Sequence, residues 1–126
     1  MRYKAIRIGL LKTAEINRRL GTELVDADVW ASKAAHRHFA VDHPDDYNLV
    51  VANLGLVIED PGYIGQKPGN ADNFYLVRNV PGLDSSVLVA IGIRLNKHGT
   101  YNLRSAYTVS HTDIQRYRAA GHLWIA

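Results

Sequence analysis

Phe74-Tyr75-Leu76-Val77-Arg78-Asn79-Val80, Val87-Leu88-Val89-Ala90-Ile91-Gly92-Ile93-Arg94-Leu95 and Tyr101-Asn102-Leu103-Arg104-Ser105-Ala106-Tyr107-Thr108-Val109-Ser110 are three runs rich in β-branched, aromatic and aliphatic residues. They read as strands. Between them stand Pro81-Gly82-Leu83-Asp84 and Asn96-Lys97-His98-Gly99, whose residues preset or tolerate turn dihedrals. Strands joined by connections this short pair antiparallel, because a parallel return needs a long crossover. The economical topology is an antiparallel meander. In its second hairpin, pairing Leu95 with Tyr101 sets Val89, Ile91 and Ile93 on one face with Leu103, Ser105 and Tyr107. Gly92, Arg94, Arg104 and Thr108 then share the other face.

Upstream of the meander, the pattern changes from alternation to helical periodicity. From Asp28, the positions Trp30, Ala31, Ala34, His38 and Val41 fall on one helical face, with Ser32, His36 and His43 on the opposite side. Pro44 stops that helix. A second helix is expected over about residues 45–56, opened by Asp45 and Asp46 at the favourable end of the helix dipole and carrying Leu49, Val50, Val51, Ala52, Leu54 and Leu56 toward the interior. Asp60-Pro61-Gly62 breaks the chain, and Gly65, Pro68, Gly69 and Asn70 mark a loop or a hairpin connection. After the meander, Ser110 or Thr112 can cap a last helix with Ile114, Arg116, Tyr117 and Arg118, ended by Gly121. Residues 1–22 are read as an N-terminal arm, with a short helix on a Thr13 cap. The predicted class is α+β, with N-terminal helices on an antiparallel sheet of about four strands and a C-terminal helix.

Bulk composition sets limits on function. The chain has 126 residues, 47% of them hydrophobic, which suits one domain over 1–126 with its own core. There is no cysteine, so disulfide frameworks, zinc ribbons and cysteine nucleophiles are excluded. The net charge is +3 with histidines neutral, a mild lean toward polyanions. The basic N-terminal segment is too short and interrupted in its apolar run for a signal peptide or membrane span. A cytoplasmic chain is expected, or one delivered into a target cell as part of a larger protein.

Three of the six histidines, His36, His38 and His43, fall in one short window together with Arg37. Histidine exchanges a proton near neutral pH, so the cluster raises acid/base chemistry on an anionic substrate. His36 and His38 are two residues apart and cannot face one metal from a regular helix; with no cysteine and no HExxH pattern, no metal or cofactor is called for. His38, on the apolar face, is either a core histidine satisfied by a backbone carbonyl or a catalytic group. His36 and His43 default to solvated or capping roles. The strands add Arg78, Arg94, Arg104, Ser105, Tyr107, Thr108 and Ser110. Guanidinium and hydroxyl groups on a sheet can hold a phosphodiester and stabilise charge at an attacked phosphorus, or simply face solvent.

The order of these parts resembles the phage and toxin branch of the barnase, EndoU, colicin and RelE-like ribonuclease superfamily. The residues that carry the resemblance are His36-Arg37-His38-Phe39-Ala40-Val41-Asp42-His43-Pro44, Ile58-Glu59-Asp60-Pro61, Tyr75-Leu76-Val77-Arg78, Val87-Leu88-Val89-Ala90-Ile91-Gly92-Ile93 and Arg104-Ser105-Ala106-Tyr107-Thr108. It runs over about residues 29–117, within a nuclease-like core at 28–118. It implies a helical pair against a four-stranded antiparallel sheet, and a metal-independent endoribonuclease of the kind that acts as a toxin on tRNA or mRNA. The helix histidine of the family corresponds to His38 or His36, its basic strand residue to Arg78, and its late-strand hydroxyls and tyrosine to Ser105, Tyr107 and Thr108. Arg37, Arg94, Arg104 and His43 are then substrate-binding. Arginine stands where lysine is common, and two histidines compete for the role of base.

In such an enzyme a histidine takes the proton of a ribose 2′-OH, the oxygen attacks the adjacent phosphorus, and an arginine stabilises the added charge, leaving a 2′,3′-cyclic phosphate and a 5′-OH. RNA and an immunity or antitoxin protein are the expected partners, with no membrane. Two other readings stay open: a noncatalytic RNA-binding or protein-interaction module, and a phage or toxin-associated adaptor that keeps the fold without the site.

Overall fold

The computed structural model describes residues 3–82 and 84–126; Met1 and Arg2 of the expected arm, and Leu83 of the first expected turn, lie outside the described residues. The elements run β1 (Ile6–Leu11), α1 (Ala14–Leu20), β2 (Ala27–Ala31), α2 (Lys33–Asp42), α3 (Tyr47–Glu59), β3 (Tyr63–Gly65), β4 (Asn73–Asn79), β5 (Ser85–Gly92), β6 (Tyr101–Ser110), α4 (His111–Ala119) and β7 (Leu123–Ile125). The α+β class is as expected. Among the described residues the sheet has seven strands, in the order β1-β2-β6-β5-β4-β3-β7, rather than about four. β3 and β7 are three residues each, too short to show alternation. β1 hides its period behind an irregularity between Arg7 and Gly9.

The central β4-β5-β6 meander is antiparallel as read from its turns. Its outer neighbour is not: β2 runs parallel to β6, pairing only at Val29 with Tyr101 and Trp30 with Asn102. The stretch expected as an arm instead supplies β1, antiparallel to β2, and α1, with Leu11 and Ile16 in the core.

Helix α2 starts later than its apolar pattern suggests. Trp30 and Ala31 belong to β2, and the Ser32 hydroxyl caps the helix by accepting the Ala35 N–H at 3.0 Å. Dropping those two residues from the helix resets its phase, so that the buried positions are His36, Phe39 and Ala40, spaced i, i+3, i+4. His38 and Val41 face outward. Trp30 is exposed on β2 between buried Val29 and Ala31, on the sheet face away from α2 and α3. In α3 the interior face is Val50, Leu54, Val57 and Ile58, while Val51, Ala52 and Leu56 are exposed.

The second hairpin also departs from the expected register. Ile91 pairs with Leu103 but Ala90 pairs with Ser105, so Arg104 is an extra residue in β6. This bulge inverts the side-chain phase of everything after it. Leu103 and Ala106 end up in one core with Val87, Val89 and Ile91 under α2 and α3. On the opposite face, Val77, Leu88, Ala90 and Val109 form a smaller core with Ile114 of α4 and Leu123 of β7.

Candidate active site

Side chains on the sheet divide between these two faces, and the division decides which can act together. Arg78 and Thr108 both stand opposite Val87, on the face covered by α2 and α3. The Arg78 guanidinium donates to the Asp60 carbonyl at 2.6 Å and to its carboxylate at 2.8 Å. The Thr108 hydroxyl donates to the Asp46 carboxylate at 2.6 Å. Asp46 and Asp60 are the residues flanking α3, so the two side chains fasten the two ends of that helix to the sheet.

His36 is also engaged in structure. Its Nδ1 lies 2.8 Å from the Lys4 carbonyl, which can only accept, so Nδ1 carries the proton. Nε2, at 2.5 Å from the Tyr47 hydroxyl, is then the acceptor. The ring packs against both Phe39 and Tyr47, which also touch each other, and is 8% exposed. His38 is in solvent, paired with Asp42 at 3.2 Å. Arg37 and Arg94 are exposed.

The opposite face holds a different group, arranged in rows across the strands. Tyr75, Ala90 and Ser105 form one row; Val77, Leu88 and Tyr107 form the next. On the other side of Ala90 lies Gly92, and the Arg104 guanidinium rests over it. A Cβ at Gly92 would come within 2.9 Å of Arg104 Nε. The bulge thus sets Arg104, Ser105 and Tyr107 along one face, at rows spaced by about 7 Å.

His43 joins this face from outside the sheet. Because β2 pairs only with the first residues of β6, α2 lies directly against that strand. The α2 helix ends at His43, whose N–H still donates to the Phe39 carbonyl at 3.1 Å, and Pro44 prevents continuation. The His43 ring stacks on that of Tyr107 with centroids 5.4 Å apart. Among the described residues, neither ring nitrogen of His43 is taken up in a hydrogen bond, in contrast to His36. Burial, with Tyr117, Tyr75 and Asp113 nearby, raises the Tyr107 pKa, so its phenol keeps its proton.

Beside Tyr107 a cavity of about 360 Å³ opens, lined by Tyr75, Leu88, Tyr107, Tyr117 and Leu123, with Lys67, Arg116 and His122 at its edge. A family model described as phage-Barnase-EndoU-ColicinE5/D-RelE like nuclease3 matches residues 6–116. The chain belongs to this nuclease family. No curated protein and no solved structure matches it.

In this phage Barnase-EndoU-Colicin-RelE-like nuclease, the matched span takes in β1 and α1, which the resemblance read from residues 29–117 left aside. Of the expected site residues, the fold brings His43 onto Tyr107, sets Ser105 in the next row of the same face and Arg104 in the row beyond it, over Gly92, and sends His36, Arg78 and Thr108 to the face covered by α2 and α3. Sequence reasoning missed Lys67 and His122 altogether, saw Tyr75 only as part of a strand, and saw Arg116 and Tyr117 only as parts of a helix. Alternation could have flagged Tyr75, between buried Phe74 and Leu76. Nothing local marks Lys67 or His122, which the pairing of β3 with β7 brings near each other.

Proposed function

We propose that the chain is a metal-independent endoribonuclease, a toxin or phage-borne effector, whose reaction centre is His43 and Tyr107, with Ser105 in the next row of the sheet and the long side chain of Arg104 reaching in from the row beyond. The observation that carries this is the stack of His43 on Tyr107 on the sheet face away from α2 and α3. It sets a ring that can take a proton against a phenol that keeps one. Neutral His43 removes the 2′-OH proton as the O2′–P bond forms; Arg104 stabilises the charge on the phosphoryl oxygens; Tyr107 protonates O5′ as the P–O5′ bond breaks. Ser105 donates a further hydrogen bond to a phosphoryl oxygen. The products are a 2′,3′-cyclic phosphate and a 5′-OH, and DNA lacks the nucleophile.

tRNA or mRNA is the substrate in this account, and an immunity or antitoxin protein would act by covering the same face. The test is to incubate the purified chain with total RNA and with DNA in EDTA and to identify the new ends. Cleavage of RNA alone, leaving cyclic phosphate ends, is the expected result. Intact RNA that is nonetheless retained in a gel shift would favour the noncatalytic module.

A further inference from the structure

The cavity beside Tyr107 is not needed for the bond-breaking chemistry, yet it is built. We infer that it is a subsite for a single unpaired nucleobase of the RNA strand, flanking the scissile phosphate, so that the substrate is single-stranded or looped rather than duplex. The inference rests on the nuclease reading for which phosphate is flanked, and on the cavity itself for what fills it.

Its chemistry is that of a base-binding pocket. Leu88 and Leu123 are almost fully buried and give it an apolar floor. Tyr75, Tyr107 and Tyr117 are partly buried and line it with three aromatic rings, the sequence-tolerant means by which proteins hold unpaired bases. Lys67 and Arg116 are exposed at its edge, where the phosphates on either side of an inserted base would run. Its volume of about 360 Å³ sits at the low end of the roughly 300–1,000 Å³ of small-molecule sites. That is ample for one base. A base within a duplex is stacked and paired, and would have to leave the helix to enter.

The edge is also fixed by backbone. Gln66 N–H donates to the His122 carbonyl at 3.0 Å, joining the end of β3 to the start of β7. At Gly65 a Cβ would fall 2.4 Å from that carbonyl oxygen, so only glycine permits the approach. This junction brings Lys67 and His122 to one mouth. Tyr107 belongs to both places, lining the cavity and stacking on His43. A base held there is therefore next to the proposed reaction centre.

The experiment uses fluorescein-labelled, uncleavable 2′-O-methyl homopolymers of A, C, G and U, read by anisotropy against the intact chain. The best binder is then remade with one abasic position moved stepwise along it. One abasic position should weaken binding by roughly 5- to 150-fold, the loss of a single stacked base, and duplex formation should weaken it similarly. Tyr75→Ala and Tyr117→Ala should abolish the positional effect, Tyr75→Phe should keep it, and a tryptophan at Ala120, which also lines the cavity just after α4, narrows it without removing a side chain, so Ala120→Trp should abolish the effect in a folded protein. Equal losses at every abasic position, equal binding of duplex, absence of binding, or an unchanged positional effect in Ala120→Trp would each overturn the inference. Cleavage of total RNA is scored separately: RNA cut without a positional effect sinks the subsite alone, and a positional effect without cutting sinks the nuclease reading alone.

Discussion

The ring of His43 lies nearly parallel to that of Tyr107, with centroids 5.4 Å apart and planes inclined by 27°. The contact joins the last turn of α2 to the late half of β6, across the edge that β2 leaves uncovered. It exists because two local features coincide: Pro44 ends α2 at His43, and the bulge at Arg104 turns Tyr107 away from the helix-covered face.

Tyr107 should set the alkaline limit of cleavage. Its raised pKa means that the folded chain keeps the phenol protonated at a pH where a free tyrosine, near about 10, has begun to ionise. Activity should therefore persist through the ordinary tyrosine range and fall above it, and Tyr107→Phe should remove most activity at every pH. The stability that goes with protonation is complete below about 10 and is lost as pH rises through the folded value. Ultraviolet titration of tyrosinate in wild type and Tyr107→Phe checks the direction.

Gly92→Ala should separate stability from function. The added Cβ meets only the flexible guanidinium of Arg104, with Nε 2.9 Å away. The side chain can swing aside, so the unfolding free energy from urea denaturation should change by only about 1 kcal/mol or less. Displacing the arginine should lower kcat/KM by at least about 10-fold if it stabilises charge in the transition state.

His36→Ala should be a stability variant and not a catalytic one. It leaves the Lys4 carbonyl and the Tyr47 hydroxyl without their partner and opens space beside Phe39. Each group left unsatisfied costs about 1–3 kcal/mol, which urea denaturation would register. Cleavage per folded molecule should stay within a few-fold of wild type.

Acid should loosen the N-terminal part of the sheet. The Asp26 carboxylate accepts both the Thr13 N–H and its hydroxyl at 2.8 Å, and these bonds lower its pKa. A lowered carboxylate contributes stability that is present above its ordinary value near about 3.9 and is lost as pH falls toward the folded one. Asp26→Asn should reduce stability at neutral pH and flatten the acid limb of a plot of denaturation midpoint against pH.

The meander and the terminal helix were legible because their signals are local: two turn tetrads, alternation in β4, and the Ser110 cap, whose hydroxyl accepts the Asp113 N–H at 3.1 Å. The active face was not, for two reasons of phase. Trp30 and Ala31 look helical beside Ala34 and Val41, and including them rotated His38 inward and His36 outward. Arg104 looks like any strand residue, and only the observed pairing reveals it as the extra one that moves Thr108 to one face and Tyr107 to the other. His43, assigned a binding role, stands nearest the chemistry because α2 ends beside β6, a tertiary fact with no sequence signature.

The most direct test of the account is the cleavage rate of His43→Ala beside His38→Ala on the same RNA in EDTA, with folding of both verified by circular dichroism. The account expects His43→Ala to be slower by about 100- to 10,000-fold and His38→Ala to match wild type. Full activity in His43→Ala, or its loss in His38→Ala alone, would contradict it.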